Sequence, residues 1–461
     1  MKFDISNPQQ IISYAQRLKD KSLRITCDIE IVDHGYTGKG NFGQILEKYY
    51  FGYEPNSVAE PDFKEAGIEL KSSPLKKLQN GEYRSKERLV LNIINYLEVH
   101  REDFETSTFW KKNAHLLLIF YLYEENTDVI DYLIKLVGDW SFPNEDLLVI
   151  KHDWEKINQK IKTGNAHELS EGDTFYLGAC TKGSTAESSL REQPFNSLKA
   201  KQRAYSLKQG YVNHIIATLG QNENAKYGKV IKAPDLQTKA ISIEEIVISK
   251  FKPYYGYTVE AIETAFGLQL NRNAKSYFAN LTNAILGLEL GQKIEEFQKA
   301  DIQVKTVRLK PNNLPKEDIS FPTFKYVELV STSWDDSDFK AILESKFFFV
   351  FYKIEANNLI LKEVKFWNMP SKDLVEAKEV WENTIETVKN GLIVRSISES
   401  GDRLSYFPKK SENRICHVRP HARNADDTYT LPTPDKLTGY VEFTKHCFWL
   451  NASYIKNEIL K

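Results

Sequence analysis

Apolar positions along the chain follow two periods, and together they predict a mixture of strands and helices. The apolar runs Leu116 to Tyr123 and Phe347 to Tyr352 are typical of buried strands, and both are well below the roughly 20 residues that a membrane-spanning helix needs. Ile68 to Lys71 alternates apolar and charged residues, as a strand with two different faces does. The stretches around Trp154 and Trp381 have helical spacing. We therefore expect an α/β fold.

Loss of this periodicity near Gly220 divides the chain. Polar residues lead from there to Pro234, and apolar spacing resumes near Ile241. Since 461 residues exceed the size at which a single hydrophobic core usually stops growing, two domains are expected. The predicted parts are a first domain at residues 1–220, a linker at residues 221–240 and a second domain at residues 241–461.

A degenerate repeat relates the two halves. Residues 62–71 (DFKEAGIELK) and residues 296–305 (EFQKADIQVK) carry phenylalanine and lysine at the same separation. Each segment is followed by a helical stretch, with Trp154 in one and Trp381 in the other, and later by a basic, aromatic C-terminal piece. Two related domains in tandem are the simplest explanation. The alternative is coincidence between two mixed domains of similar composition.

Composition narrows the class of protein only a little. A hydrophobic share of 41% with 27% charged residues is ordinary for a folded globular chain. The four cysteines are too few and too scattered for a disulfide framework, so reduced thiols are expected. The N-terminus lacks the pattern of a secretion signal, and we expect a cytoplasmic protein that does not contact a membrane.

The net charge of −1 argues against a uniformly basic surface, but DNA binding depends on local clusters of lysine and arginine. Two basic stretches stand out, and the alternative reading of both is an ordinary solvated surface. They consist of Lys76, Lys77, Arg84, Lys86 and Arg88, and of Lys199, Lys201, Arg203 and Lys208.

Asp62, Glu69 and Lys71 form the pattern D-x6-E-x-K, which is suited to phosphodiester hydrolysis. Glu69 and Lys71 are two apart on a predicted strand and point to the same side. A turn at Ala66-Gly67 allows Asp62 to approach them. Mg²⁺ takes hard oxygen ligands and uses one or two protein carboxylates, and it activates water for attack on phosphate. The alternative is a surface hairpin with a salt bridge.

The residues around this pattern resemble the mismatch-repair endonuclease MutH and its relatives, in the PD-(D/E)xK nuclease superfamily. The closest stretches are residues 38–47 (GKGNFGQILE), 61–63 (PDF) and 67–74 (GIELKSSP), with further likeness at 104–107, 111–112, 153–155 and 172–177. The resemblance implies two tandem restriction-endonuclease-like domains, each a mixed β-sheet flanked by helices.

Other stretches resemble the type II restriction enzymes that cleave GATC and carry a MutH-like domain twice. These stretches are residues 87–96 (ERLVLNIINY), 166–172 (AHELSEG) and 416–421 (CHVRPH). This resemblance spans nearly the whole chain. It implies Mg²⁺-dependent cleavage of double-stranded DNA at GATC, and a second domain that binds another GATC copy and loops the DNA or joins two chains on it.

Site residues follow from the resemblance by motif position. Asp62 and Glu69 would bind the metal, and Lys71 would position or activate the attacking water. Glu47 would be an auxiliary acid of the site, or else an ordinary helix-surface glutamate. Lys112 would contact phosphate, or else be a solvated lysine.

For base recognition the family pattern points to residues 176–182 and 203–205 in the first half. Lysine, arginine and aromatic or hydroxyl groups are common at base edges in the major groove. The candidates are Lys182, Arg203 and Tyr205 in the first domain and Arg419, His421 and Trp449 in the second. Where MutH has an Arg-Pro-Lys run, this chain has residues 180–182 (CTK), so the arginine contact is absent there or supplied elsewhere.

The second copy lacks the acids of the first. Glu296 falls at the position of Asp62, Gln303 at that of Glu69 and roughly Ala284 at that of Glu47, while Lys305 persists. An amide is a weaker magnesium ligand than a carboxylate, so this copy is expected to bind DNA without cutting it.

Two further readings of the second half are weaker. A zinc site at residues 416–421 and 446–447 lacks the usual ligand spacing, and the aromatic run from Phe347 suits a buried strand better than a base-stacking platform. The alternative to a restriction enzyme is a MutH-like nickase or a non-cutting GATC-binding module that needs a partner.

Overall fold

The computed structural model describes residues 3–27, 41–55, 58–183, 189–220, 227–231, 242–399 and 403–461. Most of the predicted linker at 221–240, and residues 38–40 of the MutH-like stretch, lie outside these ranges. The chain forms two compact units. The first unit comprises residues 1–243 and 292–301, and the second comprises residues 244–291 and 302–461.

The α-helices of the described ranges are α1 Pro8–Gln16, α2 Leu23–Cys27, α3 Asn41–Ile45, α4 Tyr96–Val99, α5 Thr108–Asn113, α6 Asn144–Lys162, α7 Gln209–Leu219, α8 Ile243–Phe251, α9 Val259–Ala265, α10 Tyr277–Leu286, α11 Glu295–Lys299, α12 Tyr326–Ser331, α13 Asp338–Glu344, α14 Ser371–Lys389 and α15 Ala452–Tyr454. Two π-helical turns, Leu46–Phe51 and Ile455–Ile459, continue α3 and α15.

The strands are β1 Glu69–Lys77, β2 Tyr83–Ser85, β3 Leu89–Ile93, β4 His115–Leu122, β5 Ile134–Ser141, β6 Leu177–Thr181, β7 Leu190–Gln193, β8 Asn196–Lys201, β9 Arg203–Leu207, β10 Tyr227–Gly228, β11 Lys293–Ile294, β12 Gln303–Leu309, β13 Ile319–Phe324, β14 Phe347–Glu355, β15 Asn358–Trp367, β16 Val394–Ile397, β17 Arg403–Ser405, β18 Cys416–Pro420, β19 Thr428–Thr430, β20 Glu442–Thr444 and β21 His446–Leu450. The mixed α/β prediction is confirmed.

The larger sheet of the first unit has the order β2-β1-β4-β5, with β1 parallel to β4 and the other pairs antiparallel. β4 is the predicted apolar run, and six of its eight residues are buried because it is an inner strand. Glu69 is the first residue of β1 and pairs with Leu116. A second, antiparallel sheet has the order β3-β9-β6, and β7 and β8 form a hairpin.

The sheets of the second unit have a similar arrangement. β12 is parallel to β14, which pairs antiparallel with β15. A separate antiparallel sheet has the order β13-β21-β18. β14 contains the second predicted apolar run, whose residues are buried in a core of aromatic and aliphatic side chains.

Helices α6 and α14 are both nineteen residues long, and each begins directly after a proline, Pro143 or Pro370. Acidic residues in the first turn and lysines in the last turn complement the helix dipole. Trp154 and Trp381 occupy the same position along the two helices, and both are buried. No helix within the described ranges is long and apolar enough to cross a membrane.

Residues 292–301 belong to the first unit, whereas the sequence analysis assigned them to the second domain. β11 pairs with β10, and α11 buries Phe297. The Lys299 ammonium lies 2.9 Å from a carboxylate oxygen of Asp146, and both side chains are buried. This ion pair, together with the apolar contact of Phe297, accounts for the placement of the segment.

Candidate nuclease site

The chain approaches β1 through a tight turn. Phe63 and Ile68 form an isolated antiparallel bridge, in which the Phe63 amide donates to the Ile68 carbonyl at 2.9 Å. Gly67, inside this turn, has a φ of 67°, a conformation that glycine adopts without steric cost. The predicted turn therefore exists, and it places Asp62 next to the start of β1.

Backbone amides of the turn and of β1 hold the carboxylates of Asp62 and Glu69 close together. The Asp62 amide donates to Glu69 Oε2 at 3.1 Å, and the Leu70 amide donates to Asp62 Oδ2 at 3.0 Å. Glu69 is only 1% exposed. The two carboxylates therefore share one site, as the spacing predicts.

Two lysines compensate the buried charge of Glu69. The Lys71 ammonium donates to Glu69 Oε1 at 2.5 Å, and the Lys112 ammonium lies 3.5 Å from the same oxygen. Lys112, near the end of α5, also donates to the carbonyl of Val58 at 3.0 Å. Both predicted lysines thus reach the carboxylate site from two different elements.

Glu47 reaches the site from the π-helical turn that continues α3. Gly43 lies between this turn and β1, because a Cβ atom there would be 3.3 Å from Ser72 Oγ and 4.0 Å from Glu47 Oε1. Such turns with wider hydrogen bonding occur frequently at functional sites. The structure therefore brings together all five predicted catalytic residues, including the auxiliary acid.

Burial and mutual repulsion change the acidity of two carboxyl groups. Burial, reinforced by the negative charge of Asp62, raises the pKa of Glu47 to about 7. Burial also raises the pKa of Glu69 to about 7, against the opposing charge of Lys71. Crowded carboxylates with raised pKa values gain from a bound cation that offsets their charge.

Two of these acids, Asp62 and Glu69, suffice for the one or two protein carboxylates that Mg²⁺ uses. The described residues contain no cluster of three or more metal-ligating side chains. A site of two carboxylates with free coordination positions for water and phosphate fits this donor set.

Tyr53 is a feature of the site that the sequence analysis missed. It lines a small cavity together with Asp62, and its amide donates to the Glu47 carbonyl at 3.1 Å. Its hydroxyl is buried and has no hydrogen-bond partner among the described residues. Burial and the charges of Asp62, Glu47 and Glu69 raise the pKa of this phenol. In the sequence it is one of several neighbouring aromatic residues, which suggests only a core position.

The DNA-contact candidates of the first unit are not all accessible. Lys182 follows β6 and is half-buried. Arg203 is 8% exposed, and its guanidinium donates to the Ala179 carbonyl at 2.5 Å. Tyr205 is 1% exposed, with its ring 4.9 Å from that of Phe109. Both side chains are buried in β9, so base recognition by Arg203 and Tyr205 would require them to become exposed and stays a prediction.

The candidates of the second unit lie together. The Arg419 guanidinium stacks over the Trp449 ring at 3.7 Å, and the His421 ring is 5.2 Å from the same indole. Arg419 and His421 are exposed and Trp449 is half-buried. Antiparallel pairing of β18 with β21 brings these three residues to one surface.

The second unit shows part of the strand geometry that the repeat predicts. Gln303 is the first residue of β12 and Lys305 the third, as Glu69 and Lys71 are in β1. Glu296, however, belongs to the first unit, where its carboxylate accepts hydrogen bonds from the backbone amides at 230 and 231. The expected equivalence of Glu296 with Asp62 is therefore corrected, because this carboxylate binds the backbone elsewhere.

The histidines that were considered for a zinc site near the C-terminus form hydrogen bonds with protein groups. His417 Nδ1 is 2.6 Å from the Asn451 side-chain oxygen, and His446 Nδ1 is 2.6 Å from the Thr444 carbonyl. Cys180, Cys416 and Cys447 are buried free thiols. These contacts give both imidazoles structural roles.

Comparison with known proteins points to nucleases. Residues 51–153 match the family described as DNA mismatch repair enzyme MutH. Asp62, Glu69, Lys71 and Lys112 fall inside this match, and Glu47 precedes it.

Relatives differ in how much of the chain they cover. The chain is 39% identical to the type II restriction enzyme Sau3AI of Staphylococcus aureus, over 91% of this chain and 92% of that enzyme. It is 26% identical to the DNA mismatch repair protein MutH of Vibrio vulnificus, over 40% of this chain and 79% of that protein. MutH of Shewanella woodyi is 29% identical, over 32% of this chain and 63% of that protein.

Proposed function

The chain belongs to the family of the type II restriction enzyme Sau3AI and is therefore a site-specific endonuclease, and on that premise we propose that it cuts double-stranded DNA at GATC with Mg²⁺ as cofactor. The observation that carries the proposal is the pair of the half-buried Asp62 and the buried Glu69, whose carboxylates accept from the backbone amides of Leu70 and Asp62 beside Lys71. The GATC preference rests on the resemblance of residues 87–96, 166–172 and 416–421 to GATC-cleaving enzymes.

Asp62 and Glu69 are the proposed metal ligands. When bound, Mg²⁺ would lower the pKa of an attacking water and neutralise charge on the scissile phosphate. The hydrogen bonds from the amides of Asp62 and Leu70 orient the two carboxylates before DNA arrives. Preorganised ligands of this kind reduce the rearrangement that the reaction requires.

Lys71, Lys112 and Glu47 have supporting roles in this proposal. The Lys71 ammonium, which donates to Glu69 Oε1, would lie beside the attacking water and would orient it by a hydrogen bond. Lys112, whose ammonium lies 3.5 Å from Glu69 Oε1, would contact a phosphate. Glu47, a half-buried acid with a raised pKa, can hold a proton beside the reacting groups.

The second unit is proposed to be a degenerate copy of the first. Support comes from the order β13-β21-β18, which matches β3-β9-β6, and from the parallel pairs β1-β4 and β12-β14 in the other sheet of each unit. The matching helices α6 and α14 add to this. We propose that this unit, with Arg419 and His421 on Trp449, binds a second GATC copy as an effector and loops DNA or joins two chains on it.

A plasmid cleavage assay tests the function. Purified protein with unmethylated plasmid and Mg²⁺ is expected to give double-strand breaks whose ends map to GATC, without any added protein. EDTA should stop the reaction. Nicks alone, or dependence on an added ATPase, would favour the alternative of a MutH-like nickase, which the local match to residues 51–153 makes the second candidate.

A further inference from the structure

A cavity of about 270 Å³ opens in the second unit beside the strand that corresponds to β1. Two stretches of chain form its walls, residues 305–308 on β12 and residues 316–320 leading into β13. The amide of Lys316 donates to the Arg308 carbonyl at 2.8 Å and joins the two walls. All of these residues belong to the second unit.

The acidic residues of this cavity are already neutralised. The Arg308 guanidinium lies 2.9 Å from Glu317. Asp318 is 2.5 Å from the Lys410 ammonium and 3.7 Å from the Arg419 guanidinium. Since each carboxylate has a basic partner, neither is left to attract a cation into the cavity.

Lys305 lines the same cavity and lacks such a partner. Within the described ranges its ammonium makes no ion pair with a carboxylate, and the group near it is the ring of Phe321, at 5.7 Å. Lys305 is half-buried, and burial lowers the pKa of its ammonium group. A cation in such a position gains from an anionic ligand that replaces the missing water.

The contrast with the first unit explains what this lysine can do. Lys71, the third residue of β1, is paired with Glu69, and Asp62 and Glu47 add further negative charge. A phosphate is repelled there unless a divalent cation is present. At the first position of β12, Gln303 carries no charge. A phosphate that approaches Lys305 is therefore not repelled from this position.

We propose that the Lys305 cavity binds a backbone phosphodiester of DNA directly, without a divalent cation. DNA binding by the second unit is then independent of metal, whereas the first unit requires a cation to accept DNA. The inference rests on the proposed function of the second unit as a DNA-binding copy. It adds that Lys305 makes the contact, that a backbone phosphodiester is the ligand, and that no divalent cation is needed.

The test measures binding of the full-length chain to a fluorescent duplex with one GATC site in EDTA. Wild type is expected to bind one duplex per chain. Lys305→Met should weaken this binding by about ten-fold, the loss expected for one buried charge-assisted contact. The variant should also reduce the magnitude of the slope of log K against log salt concentration by about 0.9, the contribution of one phosphate contact. Lys378→Met, which removes a solvent-exposed lysine of α14 paired with Glu382, is the matched control and should change neither quantity.

A second variant keeps the test decisive if Lys305→Met folds poorly. Gln303→Glu places a carboxylate where Glu69 stands in the first unit, so that it pairs with Lys305 as Glu69 pairs with Lys71. We expect this variant to lose metal-free binding to a similar extent, with an unchanged circular dichroism spectrum.

Unchanged EDTA binding in both Lys305→Met and Gln303→Glu overturns the inference. So does a wild-type chain that cuts GATC in Mg²⁺ but binds no duplex in EDTA. A chain that binds the duplex in EDTA and never cuts GATC sites contradicts the proposed function instead.

Discussion

Glu69 combines deep burial with three charged or polar contacts, to the Asp62 amide and to the ammonium groups of Lys71 and Lys112. Burying a carboxylate is costly unless its charge is compensated and hydrogen-bonded. The arrangement therefore reflects a function that requires charge at this position, since an apolar residue would pack at lower cost.

Replacement of Tyr53 by phenylalanine tests whether its unpartnered hydroxyl assists the reaction. Tyr53 lines the same cavity as Asp62, and its buried hydroxyl feels the charges of Asp62, Glu47 and Glu69. We expect Tyr53→Phe to lower kcat by about ten-fold, equal to roughly 1.4 kcal/mol, with little change in KM. Its thermal stability should not fall, because no hydrogen bond among the described residues is lost.

Tyr352→Phe is the control for this measurement. Tyr352 is buried in β14 of the second unit, and its hydroxyl also lacks a partner among the described residues. Cleavage by this variant should match wild type. Equal kcat values for Tyr53→Phe and wild type would assign Tyr53 a packing role only.

The positions of individual side chains were predictable where local spacing fixes the geometry. They were not predictable where tertiary packing decides whether a side chain is buried. Two residues on one strand, and a glycine turn before it, are enough to bring Glu69, Lys71 and Asp62 together. The burial of Arg203 and Tyr205 could not be foreseen in this way. It depends on β9 being the central strand between β3 and β6, and a local pattern does not reveal strand order.

At the level of elements, both long helices are anchored by the same kind of contact. The third residue of α6, Asp146, accepts a hydrogen bond from the Tyr211 hydroxyl at 2.9 Å. The third residue of α14, Asp373, accepts one from Tyr454 at 2.5 Å. In each case the tyrosine is on the helix that follows the central strand of a three-stranded sheet, β9 or β21. A basic side chain, Lys299 or Arg414, completes each ion pair.

Removing the Tyr454 hydroxyl tests the strength of this anchor. The hydrogen bond is buried and charge-assisted, so Tyr454→Phe should reduce the free energy of unfolding by about 2 kcal/mol. Urea denaturation followed by tryptophan fluorescence measures the change. Tyr211→Phe should cost a similar amount. A loss below about 0.5 kcal/mol in both variants would show that the ion pairs suffice without the tyrosines.

Elements were predictable from apolar runs and helical spacing, and β4, β14, α6 and α14 were all anticipated. The position of residues 292–301 was not. Their sequence resembles residues before Glu69, but their packing depends on Lys299 meeting a buried aspartate more than a hundred residues earlier in the chain. An ion pair between residues so far apart in the sequence cannot be predicted from the spacing of a local motif.

At the level of the whole molecule, buried histidines link stability to pH. Burial lowers the pKa of His446 in the second unit to about 4, and burial lowers that of His214 in the first unit to about 4. An unfolded histidine titrates near 6.5. Between these values the unfolded chain binds more protons, so the contribution of each imidazole to stability is complete above pH 6.5 and is lost as the pH falls toward 4.

A His446→Gln variant checks this dependence. Wild type is expected to lose about 2 kcal/mol more than the variant between pH 6.5 and 4.5, measured by urea denaturation at each pH. The variant starts from a lower stability at pH 7, because the network with Tyr326 and Thr444 is altered. Parallel pH curves for the two proteins would exclude His446 as the titrating group.

The central claim is that catalysis resides at Glu69 in the first unit and not at the matching position of the second. Single-turnover cleavage of GATC plasmid in Mg²⁺ tests it directly, with Glu69→Gln and Gln303→Ala compared under identical conditions. We predict that Glu69→Gln slows cleavage by about a thousand-fold, roughly 4 kcal/mol, while DNA binding persists. Gln303→Ala should cut within a few-fold of wild type. Rapid cutting by Glu69→Gln, together with loss of cutting in Gln303→Ala, would contradict the account.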